Sequence, residues 1–354
     1  MGKVIIITGA SGYLGQKIVL NAHQRGHKTK AVIRPGRDIS NMAWVGLDNI
    51  EVVEIDLASD IAGTSIAKMM SSQDSKKTSV IHASAVMMGD DSVHNIQTIR
   101  PTELIVQSMI DTGLKRLVLV SSMSVYGYSA QPVDSQLDET TPIEIYQDQR
   151  DSYCRAKIAQ ESIGVKAAQN QGLVVTALRP GAIIGPGRLL TSRLGITKGK
   201  FALQLGRDAR LPISFVDHCA EAIVLAAEKS SIINDVYSKP NKTANDGAFE
   251  AINVFEDELP TQQQYISLLK KHTDIWPAFS FTLPWSLIKK ITSGIGLVTT
   301  FKPSLLKILP GVLKEASIHA RIKPLRYNNS RLHDRLDWSS TFSYEEIIKL
   351  SKMK

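Results

Sequence analysis

Short apolar runs rich in β-branched residues alternate with stretches of helical periodicity along the first half of the chain. Such a run, closed by turn residues, predicts a buried strand, whereas apolar residues three and four positions apart predict a helix with one buried face. Strands are predicted over 4–7, 28–33, 50–55, 78–82 and 117–121, with helices over 16–23, 61–70 and 94–112 between them. This alternation predicts an α/β fold built on a doubly wound parallel sheet.

The pattern is less regular further along the chain. A polar stretch over 128–148 leads into a helix that begins near Asp148. Later elements are predicted as a strand over 212–216, a helix over 217–229, a strand over 249–255 and a helix over 261–271. Pro101 stands inside the predicted helix 94–112, where a residue without a backbone N–H weakens the helix.

The first predicted strand leads into a turn with glycines three residues apart, at Gly9, Gly12 and Gly15. The first glycine permits a tight turn, the second lets the backbone approach a pyrophosphate, and the third lets the helix pack close to the strand. The N-terminus of that helix offers free N–H groups to phosphates. Because the motif lies between a predicted strand and a predicted helix, we interpret it as a dinucleotide-binding turn.

The end of the second predicted strand bears on the kind of dinucleotide. An acid at this position would bind the ribose 2′-hydroxyl of NAD(H), whereas an arginine accommodates the 2′-phosphate of NADP(H). Arg34 occupies the position, and Arg37 lies near it. The sequence therefore favours NADP(H), with NAD(H) as the alternative.

Composition excludes several classes of protein. The chain has 354 residues and 43% hydrophobic content, and no uninterrupted apolar stretch reaches the roughly 18 residues of a membrane span. No secretory signal is recognised, and only Cys154 and Cys219 are present, so a reducing, cytoplasmic location is expected. The spacing of His and Cys residues predicts no metal site.

The formal net charge of +8 is concentrated near the end of the sequence, because residues 281–354 hold 13 Lys/Arg and 5 Asp/Glu. An anionic substrate, an anionic lipid surface and nucleic acid are the candidate partners, and the absence of nucleic-acid-binding motifs disfavours the last. Residues 281–314 are predicted to form two short basic amphipathic helices. Such helices either pack on the protein or contact a membrane peripherally.

A tyrosine and a lysine on the helix after the polar stretch form a candidate catalytic pair. Tyr153 and Lys157 are four residues apart and therefore share one face. An ammonium about 4 Å from the phenol, at an effective dielectric constant of about 20, would favour the phenolate by about 4 kcal/mol. That would lower the pKa of the tyrosine by roughly three units and suit it to acid–base chemistry. A serine hydroxyl could then orient the substrate oxygen.

Together these features resemble the extended short-chain dehydrogenase/reductase superfamily, also called the NAD-dependent epimerase/dehydratase family. The resemblance covers residues 3–230 and extends more weakly to about 338. The matching segments are TGASGYLG at 8–15, Asp56-Leu57, HASA at 82–85, VSSMSVYG at 120–127, YCRAK at 153–157, LRPGAIIGPG at 178–187 and FVDHCAEAIVLAAE at 215–228.

The resemblance implies a Rossmann domain over 1–180, joined by pieces of 211–230, and a mainly substrate-binding domain over 181–354. It implies that Ser122, rather than Ser121, is the catalytic serine, that Tyr153 is the acid/base, and that Lys157 lowers its pKa and binds the nicotinamide ribose. The implied cofactor-binding residues are Gly9, Ser11, Gly12, Tyr13, Leu14, Gly15, Arg34, Asp56, Leu57, Ala83, Ala85, Tyr153, Lys157, Pro180 and Ile183.

Two positions depart from the family pattern. Thr98 replaces the usual asparagine of the helix that follows HASA, which puts one contact near the cofactor in doubt. Met123 and Ser124 stand where dehydratases of the family carry an Asp-Glu pair, so a sugar dehydratase is disfavoured.

The predicted activity is hydride transfer between a nicotinamide and a secondary alcohol or ketone, in a reductase or dehydrogenase that resembles 3β-hydroxysteroid dehydrogenases and dihydroflavonol reductases. A nucleotide-sugar epimerase with tightly bound NAD is the alternative, with Arg188, Arg193, Lys198, Lys200, Arg207 and Arg210 as candidate diphosphate ligands. A non-catalytic nucleotide-binding protein is third. The expected partners are a small-molecule substrate and, as one option, a second copy of the chain in a homodimer.

Overall fold

The computed structural model describes residues 2–229, 247–290 and 314–352. Its strands are β1 (Val4–Thr8), β2 (Lys28–Ile33), β3 (Ile50–Glu54), β4 (Thr78–His82), β5 (Arg116–Val120), β6 (Gln136–Leu137), β7 (Val174–Pro180), β8 (Ala182–Ile184), β9 (Gly195–Lys198), β10 (Phe201–Leu205), β11 (Ile213–Phe215), β12 (Ala248–Val254), β13 (Phe279–Leu283) and β14 (Arg326–Tyr327). Its helices are α1 (Gly15–Gln24), α2 (Ala62–Ser71), α3 (Asp91–His94), α4 (Arg100–Thr112), α5 (Ser152–Gln171), α6 (Val216–Lys229), α7 (Gln262–His272), α8 (Glu315–Ile322), α9 (Ser330–Leu336) and α10 (Tyr344–Lys352).

Seven strands form the main sheet, in the order β12-β7-β5-β4-β1-β2-β3, and every neighbouring pair is parallel. The chain runs outward in one direction from β1 to β3 and in the other from β4 to β12. The predicted doubly wound Rossmann-type α/β fold is therefore confirmed. In such a sheet, ligands bind outside the carboxyl ends of the strands where the order reverses, which here lies between β1 and β4.

Both faces of the sheet are covered by helices, so its strands are apolar on both sides. Ile5 and Ile7 of β1 point to one face, where they share a buried cluster with Ile18 of α1 and Ile223 of α6. Ile6 points to the other face and packs with residues of α2, α4 and α5. Because successive side chains of β1 are buried on opposite faces of the sheet, the first predicted strand has consecutive apolar residues instead of an alternating pattern.

The predicted helix over 94–112 is interrupted by a π-helical turn. Helix α3 ends at His94, a π-helix follows over Asn95–Ile99, and α4 then begins at Arg100. The Arg100 N–H donates to the Asn95 carbonyl, five residues back. Pro101 consequently lies in the first turn of α4, where a missing N–H costs the helix nothing.

The strand predicted over 249–255 has a different place from the one expected. The resemblance places this strand in the substrate-binding domain, whereas β12 pairs with β7 over seven residues and extends the main sheet. The inner residues of β12 are buried. The residues after 180 therefore contribute a strand, as well as α6, to the nucleotide-binding fold.

The remaining strands form three small sheets: β9-β10-β13, β8-β11 and β6-β14. A separate apolar cluster joins β8 and β11 to α7 and α10 through residues such as Ile184, Ile213, Tyr265 and Ile347. The predicted helix over 261–271 is α7, and Thr261 and Gln264 cap its N-terminus reciprocally.

The predicted amphipathic helices over 281–314 can be followed only in part. Residues 279–283 form β13 and residues 285–290 are helical, while 291–313, with the second predicted helix, lie outside the described residues. Within the part of the chain that the structure describes, no helix combines the length and the apolar character that a membrane crossing requires.

Candidate active site

The glycine turn after β1 is a backbone cradle that leaves no room for side chains at two positions. Gly9 has a φ of +72°, and a Cβ there would lie 2.9 Å from the Ser84 nitrogen in the loop after β4. A Cβ on Gly15 would overlap the Gly9 carbonyl. The Gly12 N–H donates to that same carbonyl at 2.9 Å. The cradle thus fits a close approach of a ligand to the backbone at the start of α1, as a dinucleotide pyrophosphate requires.

A cavity of about 290 Å³ opens beside this turn at the carboxyl edge of the sheet. It brings together eight of the residues predicted to bind the cofactor: Gly9, Ser11, Gly12, Arg34, Asp56, Leu57, Ala83 and Ala85. Arg37, Gln97 and Pro101 also line it. Gln97 and Pro101 are not among the predicted contacts; Gln97 lies in the π-helical turn and Pro101 in the first turn of α4.

Seven predicted cofactor contacts do not line this cavity: Tyr13, Leu14, Gly15, Tyr153, Lys157, Pro180 and Ile183. The Tyr13 hydroxyl donates to the Pro186 carbonyl at 3.2 Å, and the Arg188 guanidinium lies 4.3 Å from the centre of the Tyr13 ring. Leu14 and Ile183 pack on the apolar clusters. Pro180 is buried at the end of β7. Contact of these residues with the cofactor stays a prediction.

Thr98, which replaces the family's usual asparagine, is buried in the π-helical turn. Its hydroxyl accepts a hydrogen bond from the Val86 N–H at 3.2 Å, and its carbonyl accepts one from the Thr102 hydroxyl at 2.7 Å. Thr98 therefore holds the loop after β4 against the helix rather than offering an amide to the cavity.

The two serines after β5 have separate partners. The Ser121 hydroxyl donates to the Glu161 carboxylate at 2.5 Å and is buried. The side chain of Ser122 is hydrogen-bonded to that of Tyr153, and its oxygen also accepts the Ser124 N–H at 3.1 Å. Of the two, Ser122 is thus the one that faces the tyrosine.

Helix α5 positions Tyr153 and Lys157 on one face. Asp151 caps the helix by accepting the Cys154 N–H at 2.9 Å, which fixes the first turn. The Lys157 side chain is buried, and its Nζ lies 5.8 Å from the centre of the Tyr153 ring. Nζ donates to the Val120 carbonyl at 2.8 Å and to the Gln160 amide oxygen at 2.9 Å.

The pKa of Tyr153 is shifted in the direction opposite to our expectation. Burial raises it to about 12, and the hydrogen bond with Ser122 only partly offsets that rise. Burial lowers the pKa of Lys157 to about 8. The prediction considered only the attraction between ammonium and phenolate, and it left out the cost of burying the phenolate. With this pKa, the Tyr153 hydroxyl keeps its proton at neutral pH.

A buried chain of side chains, which the sequence analysis missed, continues from Lys157. The Gln160 amide nitrogen donates to the Thr102 hydroxyl at 2.7 Å, His82 Nε2 lies 3.0 Å from that hydroxyl, and His82 Nδ1 lies 2.7 Å from the Thr8 hydroxyl. Burial lowers the pKa of His82 to about 3, so the ring is neutral. The chain links Lys157 to β1 just before the glycine turn.

A second buried network supports the serines. The Arg179 guanidinium donates to both carboxylate oxygens of Glu161, at 2.8 and 2.6 Å, and to the Tyr126 hydroxyl at 2.9 Å. The Tyr126 hydroxyl in turn donates to Asn253 on β12 at 2.8 Å. The sequence analysis did not predict this network. Two features could have indicated it: Arg179 lies within the LRPG segment, and Glu161 follows Lys157 by four residues and therefore lies near it on α5.

The profile of the NAD dependent epimerase/dehydratase family matches residues 5–238, and the chain therefore belongs to that family. Its members and this chain's relatives are enzymes of the NAD-dependent epimerase/dehydratase class.

Among curated relatives, short-chain dehydrogenase/reductase family 42E member 1 of Xenopus laevis is 28% identical over 64% of this chain and 58% of its own length. The chain thus spans little more than half of that relative. A Mycobacterium tuberculosis protein named 3 beta-hydroxysteroid dehydrogenase/Delta 5-->4-isomerase is 26% identical over 73% of this chain and 68% of its own length. The solved structure of gox2253 covers 99% of this chain and 97% of its own, with 17% identity and a TM-score of 0.72, which shows a shared fold.

Proposed function

We propose that the chain transfers a hydride between a nicotinamide dinucleotide and a secondary alcohol or ketone, with Ser122, Tyr153 and Lys157 as its catalytic residues. The observation that carries the proposal is the convergence of three side chains: the buried Lys157 ammonium lies 5.8 Å from the centre of the Tyr153 ring, and the Ser122 side chain faces the Tyr153 hydroxyl. The name of the Mycobacterium tuberculosis relative, a hydroxysteroid dehydrogenase, supports the same class of reaction.

Each side chain has one task in this proposal. The nicotinamide, when bound, supplies or accepts the hydride. Ser122 orients the substrate oxygen by a hydrogen bond, and the Tyr153 hydroxyl donates its proton to that oxygen during reduction. Because the pKa of Tyr153 is raised to about 12, its proton is present at neutral pH, which favours the reductive direction. Lys157 stabilises the charge that develops on the phenol oxygen.

We further propose NADP(H) as the preferred cofactor. Arg34 and Arg37 both line the cavity, together with Asp56 and Leu57, at the side of β2. A guanidinium binds a phosphate through charge-assisted hydrogen bonds, which are stronger than those between neutral groups. The arrangement supports a ribose 2′-phosphate at this end of the cavity.

The structure gives less support to the epimerase alternative, because most of the side chains suggested as ligands for a substrate diphosphate already contact other protein groups. Four of the six candidate diphosphate ligands are engaged by the protein. Arg188 stacks on Tyr13, and Arg193 donates to the Tyr128 hydroxyl at 3.4 Å. Arg207 donates to the Gln263 side chain, and Arg210 donates to the Leu259 carbonyl at 3.2 Å. An epimerase also returns the hydride to its own substrate and needs a cofactor that stays bound. Purification with tightly bound NAD, and interconversion of sugar epimers without net cofactor consumption, would favour it.

Replacement of the tyrosine tests the proposal. The Tyr153→Phe change keeps the ring and removes the hydroxyl, so ketone reduction should fall at least about a hundredfold. The rate is measured as NADPH consumption with a panel of 3-ketosteroids, 3-oxo acids and aromatic ketones, and cofactor affinity is measured by NADPH fluorescence. Tyr146→Phe, at an exposed tyrosine of the loop before α5, is the matched control. Near-normal turnover of Tyr153→Phe would exclude the assignment.

A further inference from the structure

The small sheet β9-β10-β13 turns one of its faces to solvent. On the other face, Ala202 and Gln204 of β10 are buried, and Ala202 belongs to the apolar cluster that joins β8 and β11 to α7 and α10. The alternate residues of β10 point outward, because successive side chains of a strand lie on opposite faces. The register of the sheet adds the outward residues of β9 and β13. We call the whole outward set the phenylalanine face: Ile196, Lys198, Phe201, Leu203, Leu205, Phe279, Phe281 and Leu283.

The large side chains of the phenylalanine face are exposed although they are apolar. Phe201, Phe279 and Phe281 are 59, 57 and 67% exposed, and Ile196 is 52% exposed. The rings of Phe201 and Phe279 stack with their centres 5.5 Å apart, so they present one continuous apolar surface. Single exposed apolar side chains are ordinary on a protein surface, whereas a contiguous patch of them marks a site of interaction.

Lysines accompany the phenylalanine face, and acids do not. Lys198 lies on the face directly beside Phe201, and Lys200 stands in the turn between β9 and β10. The sequence segments 195–205 and 279–290 contain no Asp or Glu and four lysines: Lys198, Lys200, Lys289 and Lys290. The nearest acids along the chain, Asp208 and Asp274, lie beyond the ends of the strands. The fitting partner therefore offers apolar groups to the phenylalanines and negative charge to the lysines.

A second copy of the chain and an anionic lipid surface are the two partners to compare. In a symmetric dimer built on this face the same patch meets itself, so Lys198 and Lys200 of both copies would be brought together and repel. An anionic bilayer attracts the same lysines to its surface. Its boundary between headgroups and acyl chains accepts the phenyl groups. The charge of the face thus favours the lipid surface.

We propose that the phenylalanine face docks on an anionic lipid bilayer, with its three phenylalanines in the interfacial region and with Lys198 and Lys200 at the headgroups. The contact involves one surface of the bilayer and needs no segment that crosses it. The docking surface is a face of a β-sheet, whereas the sequence indicated amphipathic helices over 281–314 for such a contact. The inference is independent of the proposed reaction and cofactor, so either can fail without the other.

Flotation of the full chain with lipid vesicles tests the inference. One set of vesicles is phosphatidylcholine, and the other is an equal mixture of phosphatidylcholine and phosphatidylglycerol. We expect the protein to float with the mixed vesicles and to be released by high salt, which screens the lysines from the headgroups. Phe281→Trp adds a direct readout, because its emission should shift to the blue on mixed vesicles and be quenched by brominated lipid, relative to the unmodified protein.

Variants of the face separate its apolar and charged parts. Phe279→Ser and Phe281→Ser should each lower the vesicle partition coefficient about tenfold or more, because burial of a phenyl group contributes at least that change in affinity. The double change Lys198→Gln with Lys200→Gln should lower the partition coefficient roughly thirtyfold. All four side chains are exposed, so the fold should tolerate these changes, and circular dichroism and thermal unfolding check that it does.

Matched controls alter equally exposed residues elsewhere. Ile61→Ser, at an apolar side chain before α2 that is 70% exposed, and Lys76→Gln with Lys77→Gln, which removes the same net charge, should leave vesicle binding unchanged. Absence of flotation, equal binding to neutral vesicles, or unchanged binding in the phenylalanine and lysine variants would overturn the inference. A dimer detected by light scattering in the absence of lipid, and dissociated by Phe281→Ser, would assign the face to a second copy instead.

Discussion

The strongest prediction concerns the charge on Lys157. If the ammonium supports proton donation by Tyr153, then Lys157→Met should slow ketone reduction. Nζ lies 5.8 Å from the centre of the phenol ring. At that distance and an effective dielectric constant of about 20, an ammonium stabilises a phenolate by about 3 kcal/mol, which corresponds to about two pKa units. Because reduction leaves the negative charge on the phenol oxygen, we expect the rate to fall roughly a hundredfold.

The same prediction can be tested through the pH dependence of the reductive rate. Burial lowers the pKa of Lys157 to about 8, so the amine is charged below that pH and neutral above it. The reductive rate of the unmodified protein should therefore decline as the pH rises through about 8. In Lys157→Met no group is left to titrate there, and this inflection should disappear while the remaining low rate stays constant across it.

The assay is NADPH consumption at saturating cofactor between pH 6 and pH 10, a range of about two units on either side of the expected inflection. Lys166→Met is the matched control, since Lys166 is an exposed lysine on the same helix α5. An inflection near pH 8 that persists in Lys157→Met, or an equal loss of activity in Lys166→Met, would refute the reasoning.

Three other changes test the cofactor site and its support. Arg34→Ala should remove most of the preference for NADPH over NADH in calorimetry, and equal affinities in the unmodified protein would contradict the assignment. Gly15→Ala should abolish cofactor binding, because its Cβ would overlap the Gly9 carbonyl and displace the turn; unchanged affinity would count against the cradle. Glu161→Ala leaves the buried Arg179 unpaired and should lower the free energy of unfolding in urea by about 3–5 kcal/mol, and a loss below about 1 kcal/mol would show that the pair matters little.

The glycine turn and the main sheet could be predicted because their signals are local. The strand β1, the turn and α1 follow one another within a few residues, and the pattern fixes both the backbone conformation and the place of the turn at the sheet edge. The pair Tyr153 and Lys157 was recognisable for the same reason, since a spacing of four places both side chains on one helical face.

The supporting contacts could not be predicted because they join distant parts of the chain. Arg179 meets Glu161 across β7 and α5, and Gln160 meets Thr102 across two helices. Strand β12 was misplaced because an apolar run does not specify its neighbour in a sheet. The shift of the pKa of Tyr153 was predicted with the wrong sign, since burial of the phenol depends on packing that no local pattern reports.

The position of α5 explains how one helix serves both halves of the site. Lys157 and Gln160 reach across α4 to His82 and the residue before the glycine turn, while Glu161 reaches the serine that precedes Ser122. These side chains are fixed by buried hydrogen bonds, which are costly to leave unmade. A rotation of α5 that moved Tyr153 would therefore break both networks at once. The distance between the catalytic tyrosine and the cofactor cradle is thus set by the buried polar groups behind them, which makes Gln160 and Glu161 positioning residues for the proposed reaction.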